Sequence, residues 1–203
     1  MTDPDCRRLT AGIMRLIVLL CALSWGVVCS AAEPFKGVDV RGQSYGGAYR
    51  LTGHDGKPRT PADFKGRIVV LAFGFTHCPD VCPTTLAALA AVVKALGEND
   101  RKRVQVLFIT VDPERDTPQL LARYMTAFDP GFLGLSGDSA ATRQAARAFK
   151  MFYQKVPTAN GDYTMDHSTG YYAIDRKGET RVLFRYEQPV ADMVHDIRLL
   201  LAE

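Results

Sequence analysis

Two closely spaced cysteines are the side chains in this sequence best suited to chemistry. Cys78 and Cys82 lie in the stretch FGFTHCPDVCPTTL, residues 73–86. An apolar run precedes them and a helical pattern follows, so both are expected at the carboxyl end of a central strand, where open α/β sheets place ligands. A helix start lowers the pKa of a nearby thiol by stabilising its anion. The spacing lets the two sulfurs converge, either as a disulfide or around a soft metal ion.

Two prolines stiffen the segment that carries these cysteines. Pro79 and Pro83 fix their own φ angles and favour an extended conformation for the residues before them, Cys78 and Cys82. The simpler interpretation is that both cysteines are small buried hydrophobic residues. The coincidence of a strand end, a helix start and two prolines favours a redox or metal-binding pair.

His167 is the best candidate for a third ligand among the four histidines. It lies in the sequence DHSTG, residues 166–170, which is expected to form the loop before a strand that starts at Tyr171. In thioredoxin-like folds this loop faces the cysteine loop, so an imidazole here adds a nitrogen ligand to the two sulfurs. A polar loop histidine without a ligand role is the alternative.

The other histidines and one methionine fit different roles. His77 adjoins Cys78, but successive residues at a strand end point apart, which favours a surface or pKa-tuning role over direct ligation. His54 is expected to be solvated in a hairpin turn, and His195 to lie on the surface of the last helix. Met165 could donate a sulfur, although core packing explains it better.

The pattern of apolar residues predicts a single α/β domain. The predicted strands are residues 68–75, 104–111, 171–175 and 180–184, with a further N-terminal hairpin around residues 54–56. The predicted helices start near residues 83, 118, 138 and 190, and Gly97 is expected to end the first. The order strand, helix, strand, helix, helix, hairpin, helix predicts a thioredoxin-like fold, in which helices flank a central mixed sheet.

An acidic segment with two prolines separates the second strand from the second helix. It reads VDPERDTP, residues 111–118, and Asp116-Thr117-Pro118 is expected to supply the cap and the first-turn proline of the second helix. Two interpretations of residues 112–115 remain open. They form a partner-facing loop, or they serve only turn formation and helix capping.

The N-terminus has the pattern of an export signal. Residues 16–29, LIVLLCALSWGVVC, are apolar and uncharged, with arginines before them and small residues after them. Cleavage near Ala32 is favoured, and an uncleaved membrane anchor is the second interpretation. Loss of residues 1–32 removes three of the five cysteines and leaves Cys78 and Cys82 in a compartment that permits disulfides.

Composition limits the remaining possibilities. The 203 residues are 47% hydrophobic and 23% charged, which fits a globular protein and excludes wholesale disorder. The net charge of +3 is too small to indicate a nucleic-acid partner. The expected division is a signal or anchor at residues 1–32, a linker at residues 33–47 and one domain at residues 48–203.

Three segments of the sequence together resemble one family. They are FGFTHCPDVCP at residues 73–83, VDPERDTP at residues 111–118 and DHST at residues 166–169. Over nearly all of residues 40–203 the chain resembles the Sco/SenC copper-binding proteins that serve cytochrome c oxidase assembly. The resemblance implies a thioredoxin-like fold and copper bound by Cys78, Cys82 and His167. It also implies an N-terminal membrane anchor facing the periplasm or the mitochondrial intermembrane space, for which the apolar run here is short.

The resemblance implies a copper chaperone that delivers copper to the binuclear copper site of cytochrome c oxidase subunit II. Other copper or thiol-redox assembly proteins are further implied partners, and the exported domain is expected in the periplasm, either free or anchored to the inner membrane. The alternative is a thiol–disulfide oxidoreductase that reduces the cysteines of that copper site, with Cys78 and Cys82 as the redox-active pair. Copper and a disulfide exclude each other because they use the same sulfurs.

The donor types indicate which metal the site favours. Copper(I) suits thiolates, whereas copper(II) gains from the imidazole of His167. Zinc could occupy the same atoms, but a structural zinc site is normally closed by four protein ligands. Three protein ligands leave one position open for transfer to a partner.

Overall fold

The computed structural model describes residues 34–159 and 161–203. The predicted signal or anchor at residues 1–32 therefore lies outside the described residues. Residues from Phe35 to Glu203 form one compact unit.

Ten strands, four α-helices and a short 3-10 helix make up the described part of the chain. The strands are β1 (Val38–Asp39), β2 (Leu51–Gly53), β3 (Pro58–Arg59), β4 (Ile68–Gly74), β5 (Val104–Thr110), β6 (Leu133–Ser136), β7 (Tyr153–Pro157), β8 (Tyr163–His167), β9 (Tyr171–Ile174) and β10 (Thr180–Phe184). The helices are α1 (Val81–Arg101), α2 (Pro118–Phe128), α3 (Ser139–Ala148) and α4 (Val190–Ala202), and the 3-10 helix is Pro61–Phe64.

Strands β4 and β5 form the centre of an eight-stranded mixed sheet. They pair in parallel from Ile68↔Val104 to Gly74↔Thr110, and every residue of β4 is buried. The strand order is β1-β10-β9-β4-β5-β6-β2-β3; β4, β5 and β6 are parallel, and all other neighbours are antiparallel. Strands covered on both faces need continuous apolar sequence, which is the pattern seen in β4 and β5. The predicted mixed sheet with flanking helices and an N-terminal hairpin is confirmed.

Helix α1 covers the sheet and carries Cys82 in its first turn. Its apolar stripe, which includes Leu86, Leu89 and Val93, is buried in the core. Gly97 has a φ of 80° and interrupts the helix, which then continues to Arg101 rather than ending at the glycine as predicted. Among the described helices, α1 is the one long and apolar enough to cross a membrane. Burial of its stripe in the core accounts for that apolar composition.

Three strands, β6, β7 and β8, were not predicted from the sequence. β6 lies between α2 and α3 and pairs with β5 and β2. It reads LGLS, a short glycine-containing run with little intrinsic strand preference, so pairing on both sides makes it a strand. β7 and β8 form a separate two-stranded sheet. His167, expected in a loop, is therefore the last residue of a strand.

The domain begins earlier than the predicted boundary at residue 48. Residues 33–47 were expected to form a linker, but β1 pairs with β10, and Val40 is buried. The buried carboxylate of Asp196 on α4 accepts hydrogen bonds from the backbone N–H groups of Lys36 and Gly37, each at 2.8 Å. Strand pairing with β10 and the two bonds to Asp196 satisfy backbone hydrogen-bonding groups of this glycine-rich segment. Its sequence lacks an apolar pattern, so its place in the domain could not be predicted.

Candidate metal centre

The two cysteines meet where β4 ends and α1 begins. Cys82 is 3% exposed, and its backbone N–H donates to the sulfur of Cys78 at 3.4 Å. Both cysteines are free thiols. The end of β4 lies so close to the helix that a Cβ on Gly74 would stand 2.7 Å from the Cys82 sulfur. A glycine at this position therefore lets the helix start pack against the strand end.

His167 brings an imidazole to the same place. Its Nε2 lies 3.6 Å from the Cys82 sulfur, and its Nδ1 lies 2.8 Å from the carbonyl oxygen of Ser168. A carbonyl only accepts hydrogen bonds, so Nδ1 carries the proton and the Nε2 lone pair faces the sulfurs. The ring also stands edge-on to Phe75, with centroids 6.0 Å apart. A backbone acceptor on the far nitrogen is the usual way in which proteins orient a histidine ligand.

The spacing of one pair of these donors, Cys82 and His167, fits a soft metal ion. An ion bonded to a thiolate at about 2.3 Å and to an imidazole nitrogen at about 2.0 Å, at a near-tetrahedral angle, separates the two donors by about 3.5 Å. The separation from Cys82 Sγ to His167 Nε2 is 3.6 Å. No three His, Cys, Asp or Glu side chains in the described residues are already spaced for coordination. Here the two cysteines hydrogen-bond to each other, so metal binding would replace those bonds and release the proton of the Cys82 thiol.

The two thiols have very different acidities. The Cys82 side chain donates a hydrogen bond to Cys78 and, with weaker help from the backbone N–H groups of Cys82 and Asp80, lowers the Cys78 pKa to about 3 against the cost of burial. The same hydrogen bond and burial raise the Cys82 pKa. Cys78 is half-buried and Cys82 is buried, which supports this order. Cys78 is therefore the thiolate of the pair, and Cys82 retains the proton.

Asp116 lies in the segment predicted to cap α2, but its own carboxylate is buried against the cysteine segment. It is 1% exposed and accepts hydrogen bonds from the Thr76 N–H at 3.0 Å and from the hydroxyls of Thr76 and Thr110, each at 2.5 Å. The α2 cap is Thr117, whose side chain accepts from the Leu120 N–H at 3.3 Å. The segment predicted to supply the cap and the first-turn proline does so through Thr117 and Pro118, while the Asp116 carboxylate turns inward and holds the loop leading to Cys78.

The sequence-based reading did not identify Thr76, Tyr163 or Ser168 as residues that position the site. Thr76 holds Asp116, Ser168 holds the His167 ring, and Tyr163 bonds to Asp112. Two segments of the sequence, VDPERDTP and DHST, pointed to the neighbourhood of Asp116 and Ser168. No sequence pattern pointed to Tyr163, because only its long-range contacts connect it to the site.

The structure places the other sequence-based candidates apart from this donor set. His77 is 49% exposed, and its Nδ1 lies 3.1 Å from the Thr76 hydroxyl and 3.7 Å from Asp116. Met165 is buried in the core, as its packing interpretation predicted. Asp80 precedes α1, where its carboxylate accepts a hydrogen bond from Thr84 at 3.4 Å.

Two histidines expected at the surface are partly buried. His54 Nδ1 accepts a hydrogen bond from the Gly134 N–H at 3.1 Å, so it supports β6 rather than being solvated in a turn. Burial lowers the His54 pKa. His195 is 23% exposed and has its Nδ1 2.8 Å from Asp196. Both rings are less exposed than predicted, and the hydrogen bond with Gly134 holds the His54 ring against β6.

The fold and the donor set define a thioredoxin-like domain with two cysteines and one histidine at a strand end. A family model described as SCO1/SenC matches residues 39–202. The chain belongs to this family, which confirms the resemblance.

Named relatives and solved structures agree with the family match. Mouse "Protein SCO2 homolog, mitochondrial" is 40% identical over 158 residues, 77% of this chain and 62% of the mouse protein. The chain spans about half the length of the curated relatives it matches, for example 50% of the bovine SCO2 homologue. Bradyrhizobium japonicum ScoI with copper bound is 40% identical, with a TM-score of 0.72 over 77% of this chain and 99% of that one. Apo Sco1 from Thermus thermophilus is 39% identical, with a TM-score of 0.75 over 84% and 99%.

Copper, the predicted ligand, is thus bound in the solved structure of a relative with the same fold. The family relationship and this structure support the sequence-based expectation of copper chemistry.

Proposed function

We propose that this protein is a copper chaperone that binds copper through Cys78, Cys82 and His167. The observation that carries the proposal is the convergence of the two sulfurs and the His167 Nε2, with Nδ1 already held by the Ser168 carbonyl. Two thiolates suit copper(I), and an added nitrogen donor accommodates copper(II). The copper-bound relative from Bradyrhizobium japonicum supports the same assignment.

The recipient proposed for the copper is the binuclear site of cytochrome c oxidase subunit II. Three protein donors leave coordination positions through which a recipient thiolate can attack the bound ion. Cys78 and His167 are only partly buried, so a partner can reach them. Ligand exchange between thiolates of two proteins moves the ion without a change in its oxidation state.

Copper stoichiometry tests the binding step. The reduced protein should hold one copper ion, and Cys78→Ala and Cys82→Ala should each lose it, because each leaves a single anionic sulfur. Ala88→Gly on the same helix is a matched control that alters no donor. Retention of stoichiometric copper by both cysteine variants would overturn the assignment.

Transfer to a defined recipient tests the delivery step. Copper-loaded protein is mixed with the reduced, copper-free soluble domain of oxidase subunit II, and the copper content of each protein is measured after the two are separated. Copper in the subunit II domain together with an equal loss of copper from the donor supports delivery. Stable retention of copper by the donor would show that subunit II is not the recipient.

A thiol–disulfide oxidoreductase is the second candidate, and the lowered Cys78 pKa favours it. The Cys78 thiolate would attack a target disulfide, which breaks the target S–S bond and forms a mixed disulfide. Cys82 would then lose its proton and displace the target, which leaves with two reduced sulfurs while Cys78 and Cys82 form a disulfide. In this role the pair acts catalytically, and the oxidised form cannot hold copper.

The proposed location is the periplasm, with the N-terminal segment as a cleaved signal or a retained inner-membrane anchor. The apolar run at residues 16–29 supports export. Fractionation of cells that express the full chain tests it. Accumulation in the cytoplasm would contradict export, and the mass of the periplasmic or membrane form distinguishes cleavage from anchoring.

A further inference from the structure

The β7–β8 hairpin, which ends in His167, has no backbone pairing with the main sheet. Among the described strands, β7 and β8 pair only with each other, from Tyr153↔His167 to Pro157↔Tyr163. Backbone ladders therefore do not set the distance between His167 and the cysteines. The short connection from His167 to Tyr171 of β9 and a set of side-chain contacts fix this distance instead, and several of the side-chain contacts converge on the loop between β5 and α2.

One end of this loop holds the hairpin through Tyr163. The Tyr163 hydroxyl donates to the buried carboxylate of Asp112 at 2.9 Å, and Arg115 Nη1 donates to the Tyr163 carbonyl at 2.8 Å. The guanidinium carbon of Arg115 lies 3.7 Å from the centroid of the Tyr163 ring. Asp112 in turn accepts from Arg115 Nε at 2.5 Å. Asp112 and Arg115 thus hold the hydroxyl, the ring and the backbone carbonyl of Tyr163, which lies four residues before His167.

A second contact ties the other strand of the hairpin to the same loop. Lys155 Nζ on β7 lies 2.8 Å from a carboxylate oxygen of Glu114 and 3.8 Å from the Tyr163 ring centroid. Both side chains are exposed, and exposed ion pairs contribute little. The partly buried Asp112–Arg115–Tyr163 contacts therefore carry most of the constraint.

The other end of the loop holds the cysteine segment. Asp116 follows Arg115 directly and accepts from both the backbone N–H and the hydroxyl of Thr76, two residues before Cys78. Its bond to the Thr110 hydroxyl anchors it to the end of β5. Residues 112–116 thus contact the two segments that carry the donors, the cysteine segment through Asp116 and Thr76 and the hairpin through Asp112, Arg115 and Tyr163.

We infer that residues 112–116 form a bracket that positions His167 relative to Cys78 and Cys82 and thereby sets the preference of the site for copper(II). Asp112, Arg115, Asp116 and Tyr163 are positioning residues in this role and do not touch the ion. Two thiolates alone retain copper(I), whereas copper(II) needs the imidazole at ligating distance. Loosening the bracket therefore weakens copper(II) binding far more than copper(I) binding. The inference rests on the proposed copper site and explains why an acidic, charged loop adjoins it.

The test uses Tyr163→Phe, Arg115→Gln and Arg115→Lys in the full chain. Copper(II) affinity is measured by titration with absorption and spin resonance, and copper(I) affinity by competition with a chelator. Loss of a group that orients a metal ligand typically costs about 10-fold to 100-fold in affinity. We expect a copper(II) loss of that size for Tyr163→Phe and Arg115→Gln, near wild-type copper(I) affinity, and partial recovery with Arg115→Lys. Arg59→Gln, which breaks the distant Arg59–Asp55 pair, is the matched control.

A measurement on the metal-free protein separates this inference from the proposed function. Amide hydrogen exchange at Thr158 and Ser168, whose N–H groups donate across the hairpin at 2.8 Å and 3.0 Å, should become faster in Tyr163→Phe and Arg115→Gln and remain unchanged in Arg59→Gln. Equal losses of copper(I) and copper(II), or unchanged exchange at both amides, would overturn the bracket. Failure of the wild-type protein to bind copper would instead overturn the proposed function, and exchange would still decide whether the bracket holds the hairpin.

Discussion

The chemistry of individual residues depends on where the protons lie. Cys78 accepts hydrogen bonds and is the thiolate, and Cys82 donates one and is the thiol. His167 has its proton on Nδ1, opposite the Ser168 carbonyl, so Nε2 is ready to accept a bond from an ion. Two of the three donors are therefore in their ligating form before copper arrives. Only Cys82 has to lose a proton.

The first residue-level prediction distinguishes two histidines. His167→Ala should abolish stable copper(II) binding and only weaken copper(I) binding, because copper(I) tolerates two thiolates alone. His77→Ala should be much milder, since its ring faces Thr76 and Asp116. Copper(II) absorption and spin resonance beside copper(I) chelator competition measure both. A wild-type copper(II) spectrum in His167→Ala, with loss in His77→Ala, would show that the wrong histidine has been assigned.

The second prediction concerns the pH dependence of thiol reactivity. A thiolate is the reactive form, and a lowered pKa moves the onset of reactivity to lower pH. Since the Cys78 pKa lies at about 3, its alkylation rate in the reduced, metal-free protein should be nearly constant from pH 5 to pH 8. Cys82 should react far more slowly. Mass spectrometry of iodoacetamide-treated samples gives both rates, with the unfolded protein as the control. A rate for Cys78 that rises about tenfold per pH unit would contradict the assignment of the thiolate.

At the scale of secondary-structure elements, the site depends on how closely a strand end and a helix start approach. β4 ends in Gly74, and Cys82 lies in the first turn of α1, packed directly over that glycine. A Cβ on Gly74 would also stand 2.7 Å from the Phe108 ring. The strand, the helix and the neighbouring strand therefore leave no room for a side chain here. Close packing of these elements sets the position of one sulfur.

Gly74→Ala should consequently disturb both stability and the thiol pair. Overpacking of this kind costs about 1–3 kcal/mol in the free energy of unfolding. Displacement of the helix start should also weaken the hydrogen bond from Cys82 to Cys78 and slow Cys78 alkylation at pH 5. Chemical denaturation and alkylation measure these effects. Gly47→Ala, whose Cβ would meet only Ala148 at 3.2 Å, is the control and should leave the alkylation rate unchanged. Equal alkylation rates in both variants would count against helix displacement.

At the scale of the whole domain, the first and last described segments are held together away from the donor set. Asp196 on α4 captures two backbone N–H groups just before β1, and Arg181 on β10 bonds to Asp175 and to the terminal residue Glu203. β1 occupies the sheet edge beyond β10. These contacts stabilise the domain and make no bond to the cysteines or to His167.

Asp196→Asn should therefore separate stability from metal binding. Loss of the charge that accepts two backbone hydrogen bonds should lower the free energy of unfolding by about 2 kcal/mol. The copper(II) spectrum should remain as in the wild-type protein. Asp39→Asn, which breaks an exposed pair with Arg41, is the control and should cost less than about 1 kcal/mol. A changed copper(II) spectrum in Asp196→Asn would show that the contact between Asp196 and residues 36–37 affects the donor set.

The sequence alone determined the features that depend on local patterns. The apolar runs of β4 and β5, the stripe of α1 and the prolines around Cys78 and Cys82 each reveal themselves within about ten residues. The same short segments carried the family resemblance, which the match over residues 39–202 confirmed. Local periodicity and fixed φ angles encode such features directly, because they act between near neighbours in the chain.

Only the tertiary structure decided the features that depend on distant pairing. β6 is a strand because it pairs with β5 on one side and β2 on the other. Residues 35–40 belong to the domain because they pair with β10 and hydrogen-bond to Asp196. The hydrogen bonds from Thr76 to Asp116 and from Arg115 to Tyr163 join segments about 40 to 50 residues apart in the sequence. Their energy comes from hydrogen bonds and packing that exist only after the chain has folded, so no local pattern in the sequence announces them.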